Sequence, residues 1–247
     1  MLLQDKVAIV TGATRGIGKS VFYRLAEEGA TVIGVFNSSV QRAENIQNDM
    51  EEKGYSAALY QGSVTNEEFV NKLVSSVVST YGKIDILVNN AGITRDNIIF
   101  NMPEIDWDSV FETNFRGTYI CTMAVLPYML ENCKGSVINM ASVTGVLGRE
   151  AQSNYGASKG AMMGLTRLLS RQYASKGIRL NCVAPGMTDT EMIGHVPEGK
   201  LNNFLQFTNM KRLGDVKEIA DTVLFLASDL SGYFADTVLK ADGGFMR

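Results

Sequence analysis

The sequence predicts an α/β fold, a doubly wound parallel sheet of about seven strands with helices on both faces. Three observations predict it. Short β-branched runs alternate with helical stretches from one end of the chain to the other. The runs Val7–Val10 and Ile86–Val88 are apolar at every position, as strands covered on both faces are. No Pro/Ser-rich linker, charge block or repeat interrupts the alternation, so the 247 residues, 1–247, read as a single domain.

In chain order, the strand Lys6–Thr11 feeds the helix Ile17–Glu28 through a glycine-rich turn. Thr31–Phe36 precedes Val40–Lys53, Ser56–Gln61 precedes Asn66–Tyr81, and Asp85–Asn89 precedes Trp107–Leu130. Gly135–Met140 then leads to Tyr155–Lys176, and Ile178–Val183 to Val216–Ser228, with Thr237–Lys240 as the last strand. Met187–Lys211 fits neither period. Such a polar insertion after a strand's carboxyl end is expected to form a substrate loop or lid at about 187–211.

Composition excludes several classes. A net charge of −3 leaves no basic stripe to neutralise phosphates, so no nucleic-acid partner is expected. Cys121, Cys133 and Cys182 lie far apart in no metal-like spacing, and His195 is the single histidine. No metal site is expected, and a zinc alcohol dehydrogenase or a Ser-His-Asp hydrolase is nearly excluded. Met1–Val10 lacks the pattern of a signal peptide and no run has membrane-spanning length, so a cytoplasmic location with no membrane partner is expected.

Thr11-Gly12-Ala13-Thr14-Arg15-Gly16-Ile17-Gly18 links the first strand to the first helix. Gly12 permits a tight turn, Gly16 a close approach to a pyrophosphate, and Gly18 close packing of helix on strand. The helix N-terminus then offers free N–H groups to the anion, a Rossmann-type dinucleotide site. At the end of the second strand stand Phe36, Asn37, Ser38 and Ser39, with no carboxylate to repel a 2′-phosphate, and Arg15 adds a cation. NADP(H) is therefore favoured over NAD(H).

The glycine spacing is GxxxGxG. Together with Asn89-Asn90-Ala91-Gly92, Asn114, Ser142, Tyr155-x-x-x-Lys159 and Asn181-x-x-Ala184-Pro185-Gly186, the chain resembles the classical short-chain dehydrogenase/reductase family. The motifs keep the family order and the likeness runs on to Gly243-Gly244. The resemblance implies that Asn90, Ala91 and Gly92 line the cofactor site, and that Ser63 and Val64 stand at the adenine, where the family usually has Asp-Val. It implies that Pro185, Gly186, Thr188 and Thr190 belong to the loop receiving the nicotinamide carboxamide.

Tyr155 and Lys159 sit i,i+4 on one helix face. Reduction of a ketone leaves an alkoxide that must be protonated, and free tyrosine, with a pKa near 10, is a poor base for the reverse step. An adjacent ammonium is expected to lower that pKa. Ser142 offers a hydroxyl where charge develops on the substrate oxygen. In the family the lysine also holds the nicotinamide ribose, and Asn114 resembles an Asn whose backbone holds a relay water. An intact Ser142/Tyr155/Lys159 set opposes a non-catalytic dinucleotide-binding sensor.

Within the family, Ile93-Thr94-Arg95-Asp96-Asn97 and the carboxyl part resemble the β-ketoacyl-[acyl-carrier-protein] reductases of fatty acid biosynthesis. That implies a 3-oxoacyl-[acyl-carrier-protein] or 3-oxoacyl-CoA substrate. Of their carrier-docking cations, Arg167 and Arg171 remain, while Glu131-Asn132-Cys133-Lys134 is nearly neutral. Ala141-Ser142-Val143-Thr144-Gly145 and Met210-Lys211-Arg212-Leu213 look equally like bacterial hydroxysteroid and bile-acid dehydrogenases. The family also implies a homotetramer, with the Trp107–Leu130 and Tyr155–Lys176 helices at one interface and the last strand in the other. Met162, Met163, Met187 and Met192 read as packing, the last two also as an adaptable pocket wall, and His195 as a surface residue.

Overall fold

Strands that are apolar at every position need cover on both faces, and the chain supplies it by alternating strand with helix. The computed structural model describes residues 1–191, 194 and 198–245. The strands are β1 (Val7–Thr11), β2 (Thr31–Phe36), β3 (Ala57–Gln61), β4 (Ile86–Asn89), β5 (Gly135–Met140), β6 (Ile178–Pro185) and β7 (Val238–Ala241). The helices are α1 (Gly16–Glu27), α2 (Val40–Glu52), α3 (Glu67–Tyr81), α4 (Glu104–Phe111) and α5 (Gly117–Glu131). They continue with α6 (Val143–Leu147), α7 (Ser153–Tyr173), α8 (Glu198–Leu205) and α9 (Val216–Ala227). All seven strands pair in parallel in the order β3-β2-β1-β4-β5-β6-β7.

The two-residue period of a strand sends each side chain into one of two cores. In β1, Ala8 and Val10 join Phe22 and Leu25 of α1 and Val223 and Leu224 of α9. Val7 and Ile9 face the other way, onto Val70 and Leu73 of α3 and Val125 and Met129 of α5. Each of the larger side chains contributes roughly 1.5–3 kcal/mol on burial, so the sheet is pinned in register from both sides. Helix ends follow local chemistry. The side chain of Asn66 accepts from Phe69 N at 3.0 Å to start α3, and Gly82, at φ +77°, ends it. Asp215 and Glu218 form a capping box on α9.

Chain order reverses between β1 and β4, and there a crevice opens at the strands' carboxyl ends. Thr11 and Asn90 fasten its floor. Asn90 N and Ala91 N both donate to Thr11 Oγ1 at 3.0 Å, and Asn90 Nδ2 donates to Thr11 O at 2.9 Å.

The segment expected as one helix over Trp107–Leu130 is α4 and α5 joined by a π-helical turn, Glu112–Arg116. The Asn114 side chain accounts for the wider turn. Its Oδ1 accepts from Ile93 N at 2.8 Å and its Nδ2 donates to Ile93 O at 3.0 Å, drawing the residue into the interior, where it is fully buried. The short helix α6 was not expected; it lies against α7, where a Cβ on Gly145 would stand 2.8 Å from Lys159 Cβ. Within 187–211 the chain forms α8, and Thr188 bridges to Gly214 while Thr208 bridges to Phe245. Met192 and His195 lie outside the described residues.

Candidate active site

A cleft of about 1580 Å³ runs along the carboxyl ends of the strands. At one end, Gly12, Thr14, Arg15, Gly16, Ile17 and Gly18 line it. Gly12 and Gly16 have φ of +69° and +50°, and a Cβ on Gly18 would stand 2.2 Å from Gly12 O. The backbone therefore bends tightly, and the close packing behind the turn leaves no room for a Cβ at Gly12 or Gly18. Among the described residues, no side chain caps the N-terminus of α1 and no acid lies in its first turn, so its N–H groups face the cleft without a competing anion. These features fit the pyrophosphate of a dinucleotide.

Asn37, Ser38 and Ser39 line the cleft beyond the end of β2, and no side chain caps α2 at Ser39. Ser63 and Val64 also line it. The Ser63 hydroxyl is engaged locally, 2.8 Å from Thr65 Oγ1 and accepting from Thr65 N. Asn90, Ala91 and Gly92 line the cleft too, Asn90 and Ala91 packed directly against the glycine turn, and the loop after β6 brings Pro185, Gly186, Thr188 and Thr190. That loop folds back over the glycine turn, where a Cβ on Gly16 would stand 3.5 Å from Thr190 Cγ2.

Ser142, Tyr155 and Lys159 line the other end. Ser142 caps α6, its Oγ accepting from Thr144 N at 3.1 Å. A hydrogen bond from Ser142 favours the Tyr155 phenolate, but burial and the negative charge of Asp96 push the hydroxyl above its ordinary value. Lys159 is 3% exposed, and burial brings its ammonium down to about 8. Its Nζ donates to Met140 O at 2.6 Å and lies 5.6 Å from the centroid of the Tyr155 ring. This corrects the expectation of a lowered Tyr155: burial dominates, and the Lys159 ammonium, with one of its three N–H groups on Met140 O, does not offset it. Asn114 does not line the cleft. It stands behind Gly92, where a Cβ would meet Asn114 Oδ1 at 3.2 Å and Lys159 Nζ at 3.6 Å. Its carbonyl accepts from Thr118 Oγ1 at 2.8 Å.

Residues 6–201 match the short chain dehydrogenase family. The chain belongs to the short-chain dehydrogenase/reductase family. As a member, it is an oxidoreductase of carbonyl and alcohol groups that binds a nicotinamide dinucleotide. Curated relatives include proteins named 3-oxoacyl-[acyl-carrier-protein] reductase. The one from Staphylococcus epidermidis is 39% identical over 97% of this chain and 98% of its own. That from Thermotoga maritima is 39% identical over the whole of both chains. That from Vibrio cholerae is 40% identical over 99% of this chain and 98% of its own.

Several residues around this short-chain dehydrogenase/reductase site were not among those expected to form it. Asp96, Thr144 and Gln152 line the cleft beside Ser142 and Tyr155. Gln152 is the N-cap residue of α7, three residues before Tyr155, and nothing local in the sequence marks it as part of the site. Phe204, Phe207 and Phe245 form an aromatic wall, with Phe204 and Phe245 stacked at 4.5 Å. Arg42 on α2 reaches Glu191 at 2.8 Å. Neither contact could be read from sequence, since both join segments far apart in the chain.

Proposed function

We propose that the chain is an NADP(H)-dependent 3-oxoacyl reductase, converting a β-keto thioester, on an acyl-carrier protein or coenzyme A, into the 3-hydroxy thioester. The observation that carries this reading is the 39–40% identity to 3-oxoacyl-[acyl-carrier-protein] reductases, which spans the substrate loops as well as the dinucleotide end. The preference for NADP(H) is supported by the exposed Arg15 at the rim and by a β2 end that carries Phe36, Asn37, Ser38 and Ser39 in place of an acid.

In this reading, the α1 N-terminus and Gly12–Gly18 hold the pyrophosphate and Ser63 and Val64 border the adenine. Asn37, Ser38 and Arg15 surround the 2′-phosphate. Asn90, Ala91, Gly92 and Lys159 border the nicotinamide ribose, and Pro185, Gly186, Thr188 and Thr190 receive the carboxamide. The bound nicotinamide supplies the hydride. Tyr155 gives its hydroxyl proton to the substrate oxygen, a task that a raised pKa suits at neutral pH. Because the Thr144 amide occupies an acceptor position on Ser142 Oγ, the single serine proton, which otherwise goes to Tyr155, is available to turn to the same substrate oxygen. Lys159, with Asn114 beside it behind Gly92, re-protonates Tyr155 through water in this reading.

We take 1–247 as one catalytic domain, with 187–211 as the substrate lid, working as a cytoplasmic homotetramer. Exposed Ile105 on α4, Tyr119 and Met123 on α5 and Leu168 on α7 support the helical interface, and exposed Leu230 and Tyr233 near β7 support the second. Among the described residues, no helix is long and apolar enough to cross a membrane.

A second reading, a hydroxysteroid or bile-acid dehydrogenase, is favoured by two observations. The wall of Phe204, Phe207 and Phe245 suits a flat apolar ring system. Two cations of the carrier-docking side are already engaged, Arg167 with Asp236 at 3.5 Å and Lys134 with Asp229 at 3.1 Å. Rates of NADPH and NADH oxidation with acetoacetyl-CoA, longer 3-oxoacyl thioesters, a ketosteroid and simple ketones decide between the two. Turnover of the thioesters with NADPH is expected. Turnover of the steroid alone would overturn the first reading.

A further inference from the structure

Beyond Ser142, Tyr155 and Lys159, a chain of polar side chains ties the substrate end of the cleft together. Two loops meet there, one after β4 and one before α7. Asn97 N donates to Ala151 O at 2.9 Å, Asn97 and Gln152 form a parallel bridge, and Asn154 Nδ2 donates to Arg95 O at 2.9 Å. Ala151 is held at φ +63°, a region that side-chain-bearing residues avoid unless their surroundings enforce it.

What is enforced is the placement of Gln152. Its buried side chain donates from Nε2 to Asp96 Oδ2 at 2.8 Å, and its Oε1 accepts from Thr144 Oγ1 at 3.3 Å. Only one orientation of the amide satisfies both, since the carboxylate accepts and the threonine hydroxyl donates. Thr144 in turn gives its backbone N–H to Ser142 Oγ. Asp96 therefore stands at one end of a hydrogen-bonded series whose other end is the Ser142 hydroxyl.

We propose that Asp96 is a positioning residue of the active site, fixing the Ser142 hydroxyl through Gln152 and Thr144 and laying a negative charge at the substrate end of the cleft. This rests on the reading of Tyr155 as the proton donor.

The charged groups around Tyr155 single out Asp96. On its own helix Lys159 is turned to Met140 O. In the loop after β4, Arg95 faces Asp106 of α4 at 3.9 Å. In the loop before α7, Arg149 lies over the Phe204 ring at 5.8 Å, and Glu150 lines the same wall. Asp96 is the acid whose charge reaches the phenol, raising it in the same sense as burial. Because Asp96 is exposed, water screens that charge, and its effect is modest.

The test compares Asp96→Asn, Asp96→Ala and Gln152→Ala in the intact enzyme, reading kcat/KM against pH for ketone reduction and for alcohol oxidation. Asp96→Asn keeps an oxygen for Gln152 but removes the charge. It is expected to move the Tyr155 limb in both directions to lower pH, a two- to tenfold change in proton concentration at the midpoint. Asp96→Ala is expected to add a fall in kcat of about tenfold as Ser142 loses its support. Gln152→Ala should lower kcat without moving the limb. An Asp96→Asn profile superimposed on wild type would overturn the charge role, and wild-type kcat in Asp96→Ala the positioning role. If Asp96→Ala fails to fold, the Asp96→Asn profile and Gln152→Ala kcat decide. Tyr155→Phe, run alongside, separates the two failures: retained turnover there removes the proton-donor reading itself.

Discussion

The coenzyme end of the cleft is built from backbone, and the substrate end from side chains. At the first, Gly12, Gly16 and Gly18 set the path of the chain, and the α1 N-terminus supplies the donors. At the second, Ser142, Tyr155, Lys159, Asp96 and Gln152 come from three loop or helix segments and are held by one another. A backbone site fails when the chain can no longer take its shape, so its defects are defects of binding and folding. A side-chain site can fail chemically while the fold stands. Lys159 marks the contrast most sharply, because an ammonium 3% exposed costs the fold something, and the proposed reaction gives it a use.

The largest expected effect tests that contrast. Lys159→Met is expected to lower kcat/KM by about 10²–10⁴-fold while raising stability. Burial brings the Lys159 ammonium from its ordinary 10.5 to about 8. Below pH 8 the folded protein carries a buried charge, at a cost of about 3 kcal/mol. Between pH 8 and 10.5 the unfolded chain binds a proton that the folded chain has released, so this group makes stability rise with pH across that window. Methionine removes the charge but loses the bond to Met140 O, worth about 1 kcal/mol. A net gain of about 1–2 kcal/mol at pH 7, shrinking toward pH 10, is expected in urea unfolding. A destabilised variant would break the comparison.

The converse substitution is Gly18→Ala. Its Cβ would stand 2.2 Å from Gly12 O and 2.3 Å from Asn90 Nδ2, and the first of these cannot rotate away. We expect a loss of about 1–3 kcal/mol in thermal unfolding and at least tenfold weaker coenzyme binding by fluorescence titration. Turnover at saturating coenzyme should fall far less than in Lys159→Met. Equal falls in the two variants would mean that the ends of the cleft are not separable.

The same division explains what the sequence makes legible. The seven strands and the glycine turn are local in sequence, and a backbone site announces itself through the residues that permit its shape. Tyr155 and Lys159 are legible because one helix carries both. The π-helical turn at Glu112–Arg116 is not, because its cause is the long-range claim of Asn114 on Ile93. Gln152 is missed for the same reason. Its partner Asp96 lies 56 residues away, and a glutamine before a helix ordinarily means nothing beyond a polar surface. Even where the residues are legible, their electrostatics are not: the i,i+4 spacing suggests an ammonium on the phenol, whereas the Lys159 side chain ends on Met140 O.

Arg15 gives a smaller, selective effect. It is the exposed cation of the glycine turn, at the rim of the cleft. Arg15→Ala is expected to raise KM for NADPH about tenfold, equivalent to about 1.4 kcal/mol, and to leave KM for NADH within twofold. Equal shifts for the two coenzymes would place Arg15 on the shared pyrophosphate instead of the 2′-phosphate.

The smallest expected effect lies where the coenzyme end borrows from side chains. Arg42 Nη1 on α2 meets both carboxylate oxygens of Glu191, at 3.0 and 2.8 Å, and so joins α2 to the loop that bears Thr188 and Thr190. Both side chains are about half exposed, and an exposed pair is worth about 0.2–1 kcal/mol. A contact of that strength does not hold the fold, but Glu191 lines the cleft beside Thr190, so its expected effect is on a rate. Glu191→Gln is expected to speed NADPH release two- to fivefold in stopped-flow displacement at low ionic strength. At about 1 M salt, where charges are screened beyond roughly 3 Å, wild type and variant should converge. A difference that persists at high salt would assign the effect to packing of the loop, and no difference at low salt would show that α2 and the loop after β6 move independently.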